Sequence, residues 1–380
     1  MIRPRAVAIA LICALGAALP ASAQTADPAA IAEYQTKLAR YTQARAAYDD
    51  EASAYWDQVV EKRRERNAKR RDGRPIGIDD YVLTQPPLYS GPPRPVDPRA
   101  PTAPPPDDRP PIPVLADFLR NAAEHFAFVP DRPANEFEFK RAYAKAALEA
   151  GLTREQIVGV YAFETGGNGT YDMQAGITPT RTRAISPAMG YNQLLSTNSV
   201  SLLVEHGGRL LGLLRLKAAS LTGAPRIAMD RKIEAVKRMI AYCRTVPNNW
   251  NDHDRLAKTT PAGIGVHAVV LDRDLGPMLQ VQKLANSLRF ARAKHYTAPL
   301  SAAELELMNL TGDGNGFDMV TMPAELRARV PTSNFFQQSG YERNPVARRT
   351  GTVANLIADM ESKMQRGAQA PGAREMAAAF

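Results

Sequence analysis

Cysteine is nearly absent from this chain: Cys13 and Cys243 are the only two in 380 residues. Cys13 lies inside an apolar run near the start, so removal of that run leaves a single thiol and no intramolecular disulfide. A disulfide-held scaffold is therefore excluded, and the fold depends on its hydrophobic core. Cys243 sits among apolar residues of helical spacing and reads as a small buried hydrophobe rather than a nucleophile. Histidine is also scarce. The five, His125, His206, His253, His267 and His295, are scattered without metal-ligand spacing, and no metal site is expected. An EF-hand loop counted from Asp313 fails, because position 5 is Phe317 and position 12 is Ala324. Residues 309–316 and 251–254 read instead as polar turns. Long apolar runs are missing beyond residue 19, so no transmembrane segment is expected in the mature chain.

The apolar run itself spans residues 6–19, follows Arg3 and Arg5, and precedes Ala21, Ser22 and Ala23. That is the pattern of a secretory signal peptide over 1–23, which implies a periplasmic or secreted protein. The full chain carries a formal charge of +9, and loss of the two leader arginines leaves +7. An excess of this sign suits an anionic partner such as an envelope polymer or lipid surface. No basic motif with interleaved aromatics marks a nucleic-acid reader, so no nucleic acid partner is expected.

Three further regions follow. Over 24–72, Ile31, Tyr34, Leu38, Tyr41, Ala44 and Tyr48 recur at steps of three and four, the period of an amphipathic helix. This arm ends in a mostly basic run, 61–71, read as a solvated face, and the arm could dock onto an envelope or secretion assembly. Residues 73–113 form a proline-rich linker, with thirteen of the chain's thirty prolines falling between 86 and 113. Proline fixes φ and lacks a donor, so an extended spacer is expected there. From 114 the pattern is helix after helix: 115–127, 136–150, 153–163, 199–219, 227–243 and 276–296 all carry helical apolar spacing. Thr153 and Gln156 have the spacing of a capping box. Only a short hairpin, at 169–177, interrupts this mainly α pattern. The main domain is set at 114–345, with a tail at 346–380.

One segment carries chemistry. Val160, Tyr161, Ala162 and Phe163 continue a helical run into Glu164 and Thr165, and Gly166 and Gly167 then stop it. A carboxyl in such surroundings is desolvated, which raises its pKa and lets it hold a proton for donation. Downstream come Ser186, Gly190, Tyr191, Asn192, Gln193 and Leu194. Glu-Thr followed by Ser-x-x-x-Gly-x-x-Gln-Leu resembles the lytic transglycosylases, the soluble-type branch of the lysozyme superfamily.

The resemblance implies a lysozyme-like helical domain, no cofactor, and peptidoglycan glycan strands as partner. It implies cleavage of the MurNAc-GlcNAc bond with formation of 1,6-anhydroMurNAc, Glu164 serving first as acid and then as base. Thr165 would stand at the family's hydroxyl position. Gly190 and Gln193 would hold the second motif, with Tyr191 in place of the usual leucine, and Gly190 would let the backbone approach the sugar. Tyr191 and Gln193 would contact substrate, and Tyr341 would supply a late tyrosine of the binding cleft. The family's third motif has no clear copy, which leaves a catalytically inactive wall-binding or scaffold protein as an alternative. A muramidase hydrolase is another, with Asp172 as the second carboxylate beside Glu164.

Overall fold

The computed structural model describes residues 27–100 and 111–380. The expected leader, 1–23, lies outside the described residues. Helix dominates, and among the described residues β-structure is limited to isolated bridges such as Gln174 to Met189 and Met189 to Leu194. None of the described helices is long and apolar enough to cross a membrane.

Contacts divide the described residues into two units, one made of 27–54 and 87–100, the other of 55–86 and 111–380. Helix α1 (Pro28–Arg71) contributes to both. In the smaller unit its tyrosines receive the returning proline run. Tyr89 sits edge-on to Tyr41 and Tyr48, with ring centroids 6.2 and 5.5 Å away. Arg45 lies over the Tyr48 and Tyr89 rings, and the Tyr89 hydroxyl donates to the Pro92 carbonyl at 2.7 Å. A Cβ on Gly91 would come 2.7 Å from that hydroxyl oxygen, so a larger residue there would push the Tyr89 ring aside. Residues 92–96 and Pro98 then line a cavity with Ala30, Tyr34 and Arg40. Residues 89–98 of the expected spacer are thus folded back on the helix, because proline's fixed φ lets them lie along an aromatic stripe at little entropic cost.

The larger unit takes the rest of α1, so the expected boundaries at 72 and 113 move. Tyr55, Trp56 and Val59 are buried. Arg66, from the run expected to be solvated, is 1% exposed and donates to the carbonyls of Asp80 at 2.7 Å and Asn334 at 3.1 Å. Arg63 donates to the carbonyls of Asn334 and Phe336. Buried carbonyls without local partners attract these guanidiniums more strongly than water does.

The remaining helices are α2 (Leu115–Phe126), α3 (Glu136–Glu149), α4 (Arg154–Thr165), α5 (Ser196–Ala219), α6 (Gly223–Cys243), α7 (Trp250–Thr259) and α8 (Pro261–Val266). After them come α9 (Gly276–Ala293), α10 (Ala302–Thr311), α11 (Asp313–Thr321), α12 (Ala324–Arg329), α13 (Gln338–Glu342), α14 (Pro345–Thr350), α15 (Val353–Gly367) and α16 (Pro371–Ala378). They enclose two apolar cores. One gathers Phe139, Tyr143, Tyr161, Leu305, Met308 and Met360. The other gathers Phe118, Leu203, Val236, Met239 and Val269. Helix α9 serves both, with Leu279 in the second core and Val281 and Leu284 in the first.

The C-terminal segment is part of the larger unit rather than a tail. Helix α15 packs on α4, where Gly159 admits Ala302 and Met364 so closely that a Cβ would lie 2.6 Å from Ala302. Helix α16 packs on α3 and α4, and the buried Lys140 pairs with Glu375 and donates to the Gly372 carbonyl at 3.1 Å. Met360, Met364 and Met376 are buried, and each apolar side chain so removed from water contributes about 1.5–3 kcal/mol.

Candidate functional site

Helix α4 begins with the expected capping box: Thr153 Oγ1 accepts from the Gln156 amide at 3.2 Å, and Gln156 Oε1 accepts from the Thr153 amide at 2.9 Å. It ends at Gly166, whose φ of +65° is left-handed and suits glycine. Gly167 follows, pressed so closely on the α15–α16 connection that a Cβ would lie 2.1 Å from the Gly367 carbonyl oxygen. The last turn is therefore clamped, and Glu164 on it is partly exposed.

Its carboxyl shares a hydrogen bond with that of Glu306, on α10. Glu306 is completely buried, and burial together with the neighbouring Glu164 pushes its pKa well above the usual carboxylate range. Both oxygens of Glu306 accept from Asn309 Nδ2, at 3.2 and 3.1 Å. Burial also raises Glu164, against the opposing pull of the Glu306 hydrogen bond and the Lys283 charge. Two desolvated carboxyls in contact cannot both ionise cheaply, so the pair retains a proton toward neutral pH.

Lys283, on α9, completes the group. Desolvation lowers its pKa, while Glu306, Glu164 and Asp313 act in the other direction. Asp313 accepts from Ser287 Oγ at 2.6 Å. The residues expected to form a turn around Asp313 are instead the start of α11.

Tyr143 connects the carboxyl pair to the loop before α5. It senses both Glu306 and Glu164 and donates to Asn192 Oδ1 at 2.7 Å. The Asn192 amide nitrogens are spent on Gln280, the backbone one on Oε1 at 3.2 Å and the side-chain one on the carbonyl at 2.8 Å. The loop thus ties to α9 at the boundary of the two cores.

Several residues expected to contact substrate are committed elsewhere. Thr165 donates to the Tyr161 carbonyl at 2.6 Å and accepts from the Gly167 amide, so its hydroxyl finishes the helix. Tyr191 is fully buried, edge-on to Phe139, Tyr143 and Tyr161, and its hydroxyl donates to Glu136. Three neighbouring rings offer more apolar contact than a sugar face would. Gly190 has φ +81°, and a Cβ there would meet Gln280 Nε2 at 2.5 Å, so the close approach it allows is to α9. Gln193, with φ +42°, donates to the Gly190 carbonyl at 2.9 Å and closes its own turn. Tyr341 is buried against Trp56 and Phe336. Asp172 pairs with Arg132 and accepts from Thr170 at 2.8 Å; the carboxyl that meets Glu164 is Glu306.

Glu306, Lys283 and Tyr143 were not expected from sequence, and Asn309, expected in a polar turn, lies on α10. A usable signal existed for Glu306, an acid between Leu305, Leu307 and Met308, the same apolar setting that drew attention to Glu164. Among the described residues no group of three or more side chains could hold a metal ion.

Comparisons with protein families, with curated proteins and with solved structures return no match.

Proposed function

We propose that this chain is an exported peptidoglycan lytic transglycosylase whose larger unit is a lysozyme-like domain. The observation that carries the reading is the Glu164–Glu306 pair, a proton-holding group at the clamped end of a helix, with Glu164 its partly exposed member. Glu164 gives its proton to the glycosidic oxygen as the bond from the MurNAc anomeric carbon breaks. The negative charge left on the carboxyl pair is met by the Lys283 charge and by the Asn309 side-chain amide on Glu306. The C6 hydroxyl oxygen of the same sugar then bonds to the anomeric carbon, and its proton returns to Glu164, closing the 1,6-anhydro ring without water.

Two-carboxylate hydrolases keep their acids about 5–9.5 Å apart to admit the sugar carbon or a water between them. Carboxyls in hydrogen-bond contact leave no such room and act as one group. With Glu306 as the carboxyl beside Glu164, and Asp172 taken up by Arg132 and Thr170, this supports the single-acid scheme over a Glu164/Asp172 hydrolase. The internal commitments of Thr165, Tyr191 and Gln193 favour a second reading, a wall-binding protein without catalysis.

Mass spectrometry of soluble products from purified sacculi separates them. Wild type should release anhydro-muropeptides, and Glu164→Gln should release them about 10²–10⁴-fold more slowly. Reducing-end products would indicate hydrolysis. Retained sacculus binding without any product would establish the binding protein.

A further inference from the structure

Lys283, Ser287, Phe290 and Lys294 follow one another on α9 and its C-cap at steps of four, three and four, which places them on one face. The first stands by the carboxyl pair. The last two line a cavity of about 730 Å³ that begins about 10 Å and reaches about 16 Å farther along the helix, at 1.5 Å per residue. Helix α11 runs the same way, from Asp313 near Lys283 to Phe317, Asp318 and Thr321 in the cavity wall.

The cavity has an apolar floor and a cationic rim. Tyr81, Phe290, Tyr296 and Phe317 supply rings, and Arg70, Arg71, Arg74 and Lys294 supply charge against the one carboxylate of Asp318. Arg70 pairs with Asp318, which also feels Arg66 and Arg63, so that carboxylate is already outweighed within the protein. Arg74 meets Asp72 at 3.1 Å, with both side chains more than half exposed, a pairing worth little in water. Arg71 and Lys294 are exposed and form no ion pair among the described residues. The rim therefore holds three cations for a ligand carboxylate, and the rings below suit short aliphatic groups.

We propose that this cavity binds the carboxylate-bearing peptide stems carried by the glycan, so that the protein acts on peptide-substituted strands in preference to bare ones. In intact strands the peptide supplies the anionic groups, because the lactyl carboxyl of a stem-bearing sugar is taken up in its amide bond to the peptide; removing the peptide leaves a single carboxylate on that sugar in place of the several the peptide carried. The assignment rests on the glycan-cleaving reading for its substrate, although the binding it describes can be measured without catalysis.

The test uses the mature full-length protein and the free tetrapeptide L-Ala-γ-D-Glu-meso-diaminopimelyl-D-Ala, titrated by calorimetry. The triple variant Arg71→Gln/Arg74→Gln/Lys294→Gln should bind at least tenfold more weakly and melt at the wild-type temperature, since all three side chains are exposed. Glu164→Gln should bind the peptide as wild type does. Amide-capped peptide should bind neither wild type nor variant. Equal binding of the free peptide by wild type and triple variant, or none by wild type, overturns the proposal. The second readout is cleavage of intact sacculi against sacculi stripped of peptides by an amidase. The wild type should prefer the intact material and the triple variant should not. Charge-dependent peptide binding with no cleavage of either material would remove the enzymatic reading and leave the peptide site standing.

Discussion

Asp272 and Glu306 are both completely buried acids, and their surroundings could hardly differ more. Asp272 receives Lys232 Nζ at 2.8 Å and the backbone amides of Asp131, Asp274 and Leu275 at 2.8, 2.9 and 3.2 Å. Lys232 in turn reaches Asp274 at 2.7 Å. Burial holds Asp272 above the usual carboxylate range even against this ammonium, which opposes the shift without cancelling it, but each oxygen has a donor. Glu306 has one amide, a second carboxyl and a lysine acting at longer range. A saturated buried charge braces a fold. An undersupplied one keeps a proton, and that is the property general acid catalysis requires.

Removing the cation should break the brace. Lys232→Met leaves Asp272 and Asp274 without their shared ammonium, and loss of one partner of a buried pair typically costs about 3–5 kcal/mol. Chemical denaturation should report a loss of that size, while the protein that remains folded keeps the wild-type pH profile of cleavage. A loss below about 1 kcal/mol would mean that the backbone amides alone hold Asp272, and the contrast with Glu306 would weaken.

At the other acid the stability effect should reverse. The folded-state pKa of Glu306 is raised above its ordinary value, so its contribution is fully present below about pH 4.5 and is lost as pH climbs through the folded value. Glu306→Gln cannot ionise and lacks that loss. Its melting temperature at pH 8 should equal or exceed that of wild type, and the two should converge or cross at pH 4. Cleavage should respond oppositely. The second ionisation of a carboxyl pair is held up by like-charge repulsion, so the variant's alkaline limb should move to lower pH, and each unit of movement lowers the rate above the limb about tenfold. An unchanged limb would show that the proton resides on Glu164 independently of Glu306.

Helices α3, α4 and α9 were legible because their apolar residues keep the helical period, whereas α10, which carries Glu306, was not expected. The expected 136–150 and 153–163 agree with α3 and α4 to within two residues. Residues 251–254, expected to be loop, belong to α7, where Asn249 caps the Asp252 amide at 3.0 Å and His253, Leu256 and Ala257 are buried at helical spacing. Polar composition concealed that cap and that face. The fates of Thr165 and Tyr191 were not legible, since they depend on partners brought close only by folding: Gly167 beyond a left-handed turn for one, Phe139, Tyr143 and Glu136 for the other. Glu164 was legible through its own neighbours in sequence, whereas its pairing with Glu306 spans helices α4 and α10.

The smallest effect is expected at Asp172, and it sharpens the same distinction. This carboxylate lies near Glu164 in sequence, yet its interactions are an ion pair with Arg132, both side chains about one-third exposed, and a hydrogen bond from Thr170. An acid so placed is solvated and screened, and its pair should contribute less than about 1 kcal/mol. Asp172→Asn should cleave sacculi within about twofold of wild type and release the same anhydro products, because neither proton transfer in the Glu164 scheme passes through it. Abolished cleavage with an unchanged melting temperature would make Asp172 the second carboxylate after all. Proton retention by the Glu164–Glu306 pair would then be a consequence of packing rather than the source of the chemistry.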